Sequence, residues 1–414
     1  MSKKVSKVNK KSKEKKVTSK PVKKSKAPSR QDFKFNKIRQ IAKKIEQKEI
    51  KMPKGTLVVD DANTTEARKR VLDVAKEIYK QIRETGKPIF TIPSRSTKNI
   101  IYDENLDLLL LGNEVKKRPF HSLTSVSDAT RLMHVMNLAN ELLEKDIHAT
   151  KREIFYSDVE LFGKDQSNSD KIIEDLATLL KTIRNSTHIV ASAKGMAIGK
   201  LKIRDSGDEI DLERLGTGGW AITPFLDKVE ILDSDAEFIL VVEKDAAVIR
   251  LTEKKFWRDY PCIILTAKGV PDIATRMFLR RLRKELGLPI FSLVDSDPYG
   301  HYIHSVYLRG SKKLSYESPF LATQGIKLLG VLSQDLDIYG IPKSCKIPMT
   351  PTDFNRIDDM LKETFVQQNA RWVVDLLHMK ESKHKAEIQS LSNKGFEYLT
   401  DSYLPTKLST GDWI

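Results

Sequence analysis

The residues of this chain whose types and spacing could do chemistry together are one tyrosine and three acids. Tyr156 ends Lys-Arg-Glu-Ile-Phe-Tyr at 151–156, Glu243 ends Phe-Ile-Leu-Val-Val-Glu at 238–243, and Asp295 and Asp297 lie in Leu-Val-Asp-Ser-Asp-Pro-Tyr-Gly at 293–300. A phenol, with an ordinary pKa of about 10, is a workable nucleophile once deprotonated and a good leaving group afterwards. Its attack on a phosphodiester exchanges one ester for another, so a strand cut this way can be resealed without energy input to the bond. Arg152 precedes Tyr156 by four residues and shares its helical face. A guanidinium there would favour the phenolate and hold the phosphate. Carboxylates without supporting His or Cys suit Mg²⁺, which offsets phosphodiester charge and stabilises the attacking or leaving oxygen. Together these residues are the equipment for transesterification in a nucleic-acid backbone. Singly, each has a plainer reading: a half-buried core tyrosine, or an acid that is solvated or caps the next helix.

Positioning them requires two kinds of architecture. From 236 onward strands and helices alternate: strand 238–243 and a helix to about 257, strand 262–267 and a helix from Pro271 to Gly287, strand 289–295 and a helix from 298. This pattern predicts a parallel α/β sheet whose apolar strands are covered on both faces. Right-handed crossovers bring the C-terminal ends of such strands to one edge, so Glu243, Asp295 and Asp297 should converge there. Helices over 353–366 and 369–394 follow. Upstream, 65–85 is an amphipathic helix closed by Gly86, with short strands at 88–93, 99–103 and 107–111. Ala129, Leu132, Met133, Met136 and Leu143 line a further helix, Thr150 and Glu153 spell a capping box before Tyr156, and a third helix spans about 170–184. Two strand-like pieces flanking Gly195, 188–193 and 197–203, complete a winged-helix (CAP-like) pattern. The expected divisions are a basic disordered tail over 1–64, a winged-helix unit carrying the tyrosine over 65–212, and a metal-binding α/β unit with C-terminal helices over 213–414.

Composition limits the alternatives. The net charge of +16 is a tail property, because residues 1–54 hold 21 Lys/Arg against 4 Asp/Glu while the remainder is nearly neutral. Such a tail suits a salt-sensitive DNA tether, or a solubilising or targeting extension. No apolar run reaches membrane-span length, since Asp-Leu-Leu-Leu-Leu-Gly at 107–112 is far too short. Neither a secretory leader nor a disulfide framework is expected, with only Cys262 and Cys345 present, and an intracellular setting follows. No phosphate-binding Gly-rich loop with Lys-Ser/Thr occurs, and Gly216–Gly219 reads as a turn. His301 and His304 lack a third ligand nearby and suit packing. Arg276, Arg280, Arg281, Arg283 and Lys284 form either a DNA-contacting or a solvated helix face. Trp220 and Trp257 suit the core.

Lys-Arg-Glu-Ile-Phe-Tyr-Ser-Asp-Val-Glu-Leu-Phe at 151–162 resembles the catalytic-tyrosine motif in the A subunit of DNA topoisomerase VI, a type IIB topoisomerase, and in the related meiotic double-strand-break proteins. Val-Val-Glu-Lys-Asp-Ala at 241–246 and Val-Asp-Ser-Asp-Pro-Tyr-Gly at 294–300 resemble the two acidic motifs of their Toprim domain. Thr-Ala-Lys-Gly-Val-Pro-Asp at 266–272 and Tyr-Leu-Pro-Thr-Lys at 403–407 also fit. The resemblance covers roughly 65–414. Many members have Tyr where Phe155 stands, which leaves Tyr156 without a rival nucleophile beside it. It implies that Tyr156 is the nucleophile with Arg152 assisting, and that Glu243, Asp295 and Asp297 bind Mg²⁺, with a proton-relay role open to Glu243 as well. It further implies a homodimer in which each tyrosine faces the other protomer's metal site, 5′-phosphotyrosyl links to double-stranded DNA, and a separate GHKL-type ATPase as the B component of an A2B2 heterotetramer. A cytoplasmic, nucleoid-associated setting is implied, or a nuclear one in a eukaryote, with no membrane partner.

Overall fold

The computed structural model describes residues 35–42 and 51–414. The apolar strands expected after 236 form the middle of a six-stranded sheet, in the order Trp220–Ala221, Met196–Gly199, Cys262–Thr266, Phe238–Val242, Ile290–Leu293, Lys327–Gly330. The last four are parallel to one another, and the first two join antiparallel. Alternation along the strands divides two cores. Ile239, Val241, Ile263 and Leu265 face the helix Ile273–Leu286 through Phe278, Leu279 and Leu282. Phe238, Leu240, Val242 and Ile264 face the helix Asp245–Glu253 through Ala247, Val248 and Leu251. The helix Ile273–Leu286 starts where the Asp272 side chain accepts the Thr275 N–H at 3.0 Å, and stops at Gly287 in the left-handed region.

The upstream unit is helical. Thr64–Thr85, Val126–Lys145, Lys151–Ser157 and Gln166–Leu179 share one core through Val71, Leu132, Met136, Ile154, Phe155, Ile172 and Leu176. An antiparallel pair, Ile89–Pro93 with Val115–Pro119, is tied to the helix Gln166–Leu179 by charge. Arg95, Lys116 and Arg118 all reach the buried Asp175 carboxylate. Burial works against that charge, yet the three cations hold the Asp175 pKa below the usual carboxylate range.

Three expectations are corrected. The hairpin about Gly195 does not form. Ile189–Val190 pairs in parallel with Ala149–Thr150, and Met196–Gly199 crosses into the large sheet instead. The reason is local. Every residue of Met196–Gly199 is buried, which suits a sheet interior and not a half-solvated wing. A Cβ on Gly195 would lie 2.0 Å from Thr275 Oγ1, so only glycine lets the chain pass flush against the Asp272-capped helix. The α/β sheet thus draws a strand from the upstream side of residue 212. Second, part of the basic extension is packed. In the helix Asn36–Ala42, Ile38 is fully buried and Arg39 Nε bonds Glu237 at 2.9 Å; Leu57 and Val59 are buried too. Residues 1–34 and 43–50 of that extension lie outside the described residues. Third, the last long helix, Ala370–Ser382, ends at Lys383 in the left-handed region, and His384–Lys385 then pairs with Ile347–Pro348.

The two units are joined by a buried polar knot. Arg184 and Glu174 of the helical unit meet at 3.4 Å, Tyr316 donates its hydroxyl to Glu174 at 2.6 Å, and Glu317 accepts the Arg184 backbone N–H at 3.3 Å. All four side chains are at most 3% exposed. Leu57, Val59, Ala177 and Ile183 pack around Tyr316.

Candidate active site

Tyr156 stands on a short helix whose start is firmly specified. The Thr150 hydroxyl accepts the Glu153 N–H at 3.3 Å, and the Glu153 carboxylate accepts the Thr150 N–H at 2.6 Å, the reciprocal capping box that their spacing predicts. Ile154 and Phe155 turn into the core against Phe162. The helical repeat then turns Arg152 and Tyr156 outward. Tyr156 is 61% exposed, and the Arg152 guanidinium carbon lies 5.8 Å from its ring centroid, within cation–π range. The exit of the helix is pinned from Val126–Lys145: His134 Nε2 meets Ser157 Oγ at 3.0 Å, and Arg131 donates to the Leu161 carbonyl at 2.7 Å. Because the one Ser157 hydroxyl proton goes to the Ile154 carbonyl at 2.7 Å, His134 is the donor in its pair. Sequence reasoning singles out neither His134 nor Arg131, since their partners lie more than twenty residues away and no local pattern marks them.

The acids gather where strand order brings them. Glu243 leaves Phe238–Val242 with its N–H on the Leu293 carbonyl at 2.9 Å, and its carboxylate accepts the Asp295 N–H at 3.0 Å. Asp295 accepts the Ile388 N–H at 2.9 Å, and Asp297 caps the helix Pro298–Arg309 through the Gly300 N–H at 2.5 Å. All three line one cleft of about 710 Å³, with Lys244, Lys268, Tyr299, Lys385 and Glu387 around it. Tyr156 does not line this cleft. The structure therefore brings the three acids together and leaves the tyrosine elsewhere on the same chain.

Crowding defines the electrostatics of the cleft. Burial, then the neighbouring Asp295 and Asp297 charges, push Glu243 up to about 7. Burial also raises Asp295, against the opposing pull of the Ile388 N–H and Lys244. The Lys244 ammonium lies 3.1 Å from Asp295 and 3.3 Å from Glu387. Burial opposes its charge, but these carboxylates outweigh burial and raise its pKa. Among the described residues no three acid, His or Cys side chains already form a closed metal cage. The donor chemistry nevertheless fits a hard divalent cation: three carboxylates, two of them buried, with Lys244 offsetting part of a charge that a cation would offset more fully.

The other sequence candidates lie apart from this chemistry. His301 and His304 are 1% exposed and packed: Trp372 donates to His301 at 2.9 Å, and His304 pairs with Ser292 at 2.7 Å. The arginine face is largely turned inward. Arg276 is 1% exposed, Arg280 donates to the Ala322 carbonyl at 2.7 Å, and Arg281 to Glu285 at 2.5 Å and the Leu226 carbonyl at 2.8 Å. Trp220 and Trp257 are buried. No described helix is long and apolar enough to cross a membrane.

Comparison with known proteins agrees with this geometry at both ends. Residues 238–408 match the model of the Toprim domain common to the A subunit of topoisomerase 6 and Spo11, and residues 127–189 match a type IIB DNA topoisomerase model. The chain is 47% identical over 358 residues to the A3 subunit of DNA topoisomerase 6 of Oryza sativa subsp. indica, covering 86% of this chain and 81% of that protein. It is 48% identical over 325 residues to the A subunit of DNA topoisomerase 6 of Arabidopsis thaliana, covering 78% and 76%. With the meiotic recombination protein SPO11 of Mus musculus it shares 35% identity over 357 residues, covering 85% and 90%. The α/β unit with its acid cleft is a Toprim domain, and the chain belongs to the family of type IIB topoisomerase proteins that unites the topoisomerase 6 A subunit with Spo11.

Proposed function

We propose that this chain is the DNA breakage-and-rejoining subunit of an ATP-dependent type IIB topoisomerase, which relaxes and decatenates DNA by passing one duplex through a transient double-strand break in another. The observation that carries the reading is the exposed Tyr156 beside Arg152, on a chain whose acid cleft the same tyrosine does not line. A second copy must then bring nucleophile and acids together, so the working unit is a homodimer. The three helices Val126–Lys145, Lys151–Ser157 and Gln166–Leu179, within the four-helix core, support a winged-helix role in holding duplex DNA, although the segment about Gly195 forms no wing.

Tyr156 Oη attacks phosphorus. The Oη–P bond forms as the bond to the 3′ oxygen breaks, the phenolic proton leaves to solvent or a nearby base, and the departing oxygen takes up a proton to become a 3′ hydroxyl. The 5′ phosphate stays on the enzyme, and reversal restores the strand. Arg152 holds the phosphate and favours the phenolate. Glu243, Asp295 and Asp297 would hold Mg²⁺, which supplies charge neutralisation at the phosphate and the departing oxygen. Glu243, pushed up to about 7, can also hold or release a proton near the reacting phosphate. ATP binding and hydrolysis belong to a separate GHKL-type protein, the B component of an A2B2 assembly. The setting is cytoplasmic and nucleoid-associated, or nuclear in a eukaryote.

Break formation without routine resealing, as in a recombination protein, would use the same residues, but the higher identity to topoisomerase proteins favours the rejoining enzyme. The deciding experiment mixes the chain with its ATPase partner, supercoiled plasmid, Mg²⁺ and a non-hydrolysable ATP analogue. Protein should appear covalently attached at 5′ ends and disappear with Tyr156→Phe. Adducts that persist in that variant would remove Tyr156 from the chemistry.

A further inference from the structure

The cations that line the acid cleft are already committed. Lys244 serves Asp295 and Glu387, Lys268 lies 3.5 Å from Asp245, and Lys385 lies 2.8 Å from Asp353. A phosphodiester approaching these carboxylates therefore meets little unpaired positive charge from the cleft wall itself. Arg356, which adjoins the cleft through the lining residue Tyr299, is different. Its guanidinium carbon lies 5.0 Å from the Tyr299 ring centroid and 5.1 Å from that of Tyr302, and it has no carboxylate partner among the described residues. The acids close to it in sequence are taken elsewhere, Asp353 by Lys385, Asp358 by Lys380 and Asp359 by Lys362. Tyr299 lines the acid cleft and stacks obliquely on Tyr302, with centroids 5.7 Å apart. Two aromatic rings, one of them lining the acid cleft, thus hold a planar cation whose N–H donors have no partner among the described residues, the arrangement in which arginine takes a phosphate.

We propose that Arg356, seated on Tyr299 and Tyr302, is a DNA-phosphate clamp at the mouth of the acid cleft. It binds a backbone phosphate of the duplex neighbouring the one presented to Glu243, Asp295 and Asp297. The inference rests on the breakage reading for its choice of ligand, and it is tested without cleavage. Binding of a short labelled duplex to the full chain is measured in EDTA across a salt series, so that no metal takes part. Arg356→Gln should weaken binding about tenfold and reduce the slope of log affinity against log salt by about one. Arg356→Lys should recover the slope but only part of the affinity. Tyr299→Leu, which leaves the charge and removes a ring, should weaken binding less and keep the slope. Thermal unfolding of all three should match the parent, because no acid loses a partner. If Arg356→Gln binds with the parent's affinity and slope, the clamp is overturned, whether or not the parent cleaves. A parent that forms no 5′ adduct, while the slope change persists, counts against the breakage reading and leaves the clamp standing.

Discussion

Tyr156 is 61% exposed on a seven-residue helix, whereas Glu243 and Asp295 keep 8% and 4% of their surface at the ends of strands inside a six-stranded sheet. The tyrosine helix depends on local devices, a capping box at one end and the His134 and Arg131 contacts at the other. The acids depend on long-range topology, since residues about fifty apart in sequence meet only when parallel strands are in register. The difference assigns separate tasks. On the proposed reading, a nucleophile that has to reach a phosphate is carried on the surface with few contacts to break, while the carboxylates are held crowded by the sheet. The proposed chemistry needs both, and the strongest tests join or separate them.

The largest effect comes from mixing the two lesions. Homodimers of Tyr156→Phe and of Glu243→Gln should both fail to cleave. A heterodimer carrying one lesion on each protomer should regain nicking of one strand, because the intact tyrosine of one protomer then faces the intact acid of its partner. If each tyrosine served its own chain's acids, the heterodimer would be as dead as the parents of the cross. Plasmid nicking with a purified mixed dimer separates the two outcomes, on a scale of at least about 10³-fold.

A smaller change is expected from Arg152→Ala. Adduct formation should fall about 10²-fold, as for loss of one charge-stabilising donor in a reacting site. Thermal stability should barely change, because the guanidinium sits on an exposed ring. A fall confined to substrate affinity, with the single-turnover rate unchanged, would reassign Arg152 to binding. The smallest effect belongs to Thr150→Ala, which removes the cap and should cost about 1 kcal/mol. Amide exchange should quicken in Lys151–Ser157 and stay unchanged around Glu243 and Asp295. Equal acceleration in both places would contradict the separation of local and long-range support.

The same division governs what can be read from the sequence. The acids are legible because a parallel strand ends where its apolar run ends, and Glu243 and Asp295 stand at those ends. The capping box is legible because Thr150 and Glu153 are three residues apart and bond each other. Arg152 and Tyr156 are legible because one helical turn separates them. The Gly195 hairpin is a false expectation because a short apolar strand looks the same whether it turns back or crosses into another sheet. What decides it is Thr275, eighty residues downstream, crowding the place of a Cβ at 195. The lysine on Asp295 and the tyrosine seat of Arg356 are hidden for a related reason. Each joins residues tens of positions apart through side chains whose directions only the folded chain fixes.

The knot of Arg184, Glu174, Tyr316 and Glu317 has a mechanical consequence. Flexing the helical unit against the Toprim unit would strand several charged or polar groups without partners, a costly event in a dry interior. The two units of the chain are therefore tied into one stiff body. In the proposed homodimer, an aperture wide enough for a second duplex would then open by parting one such body from its twin, and a crosslink across that seam should trap a captured duplex while leaving bond exchange intact.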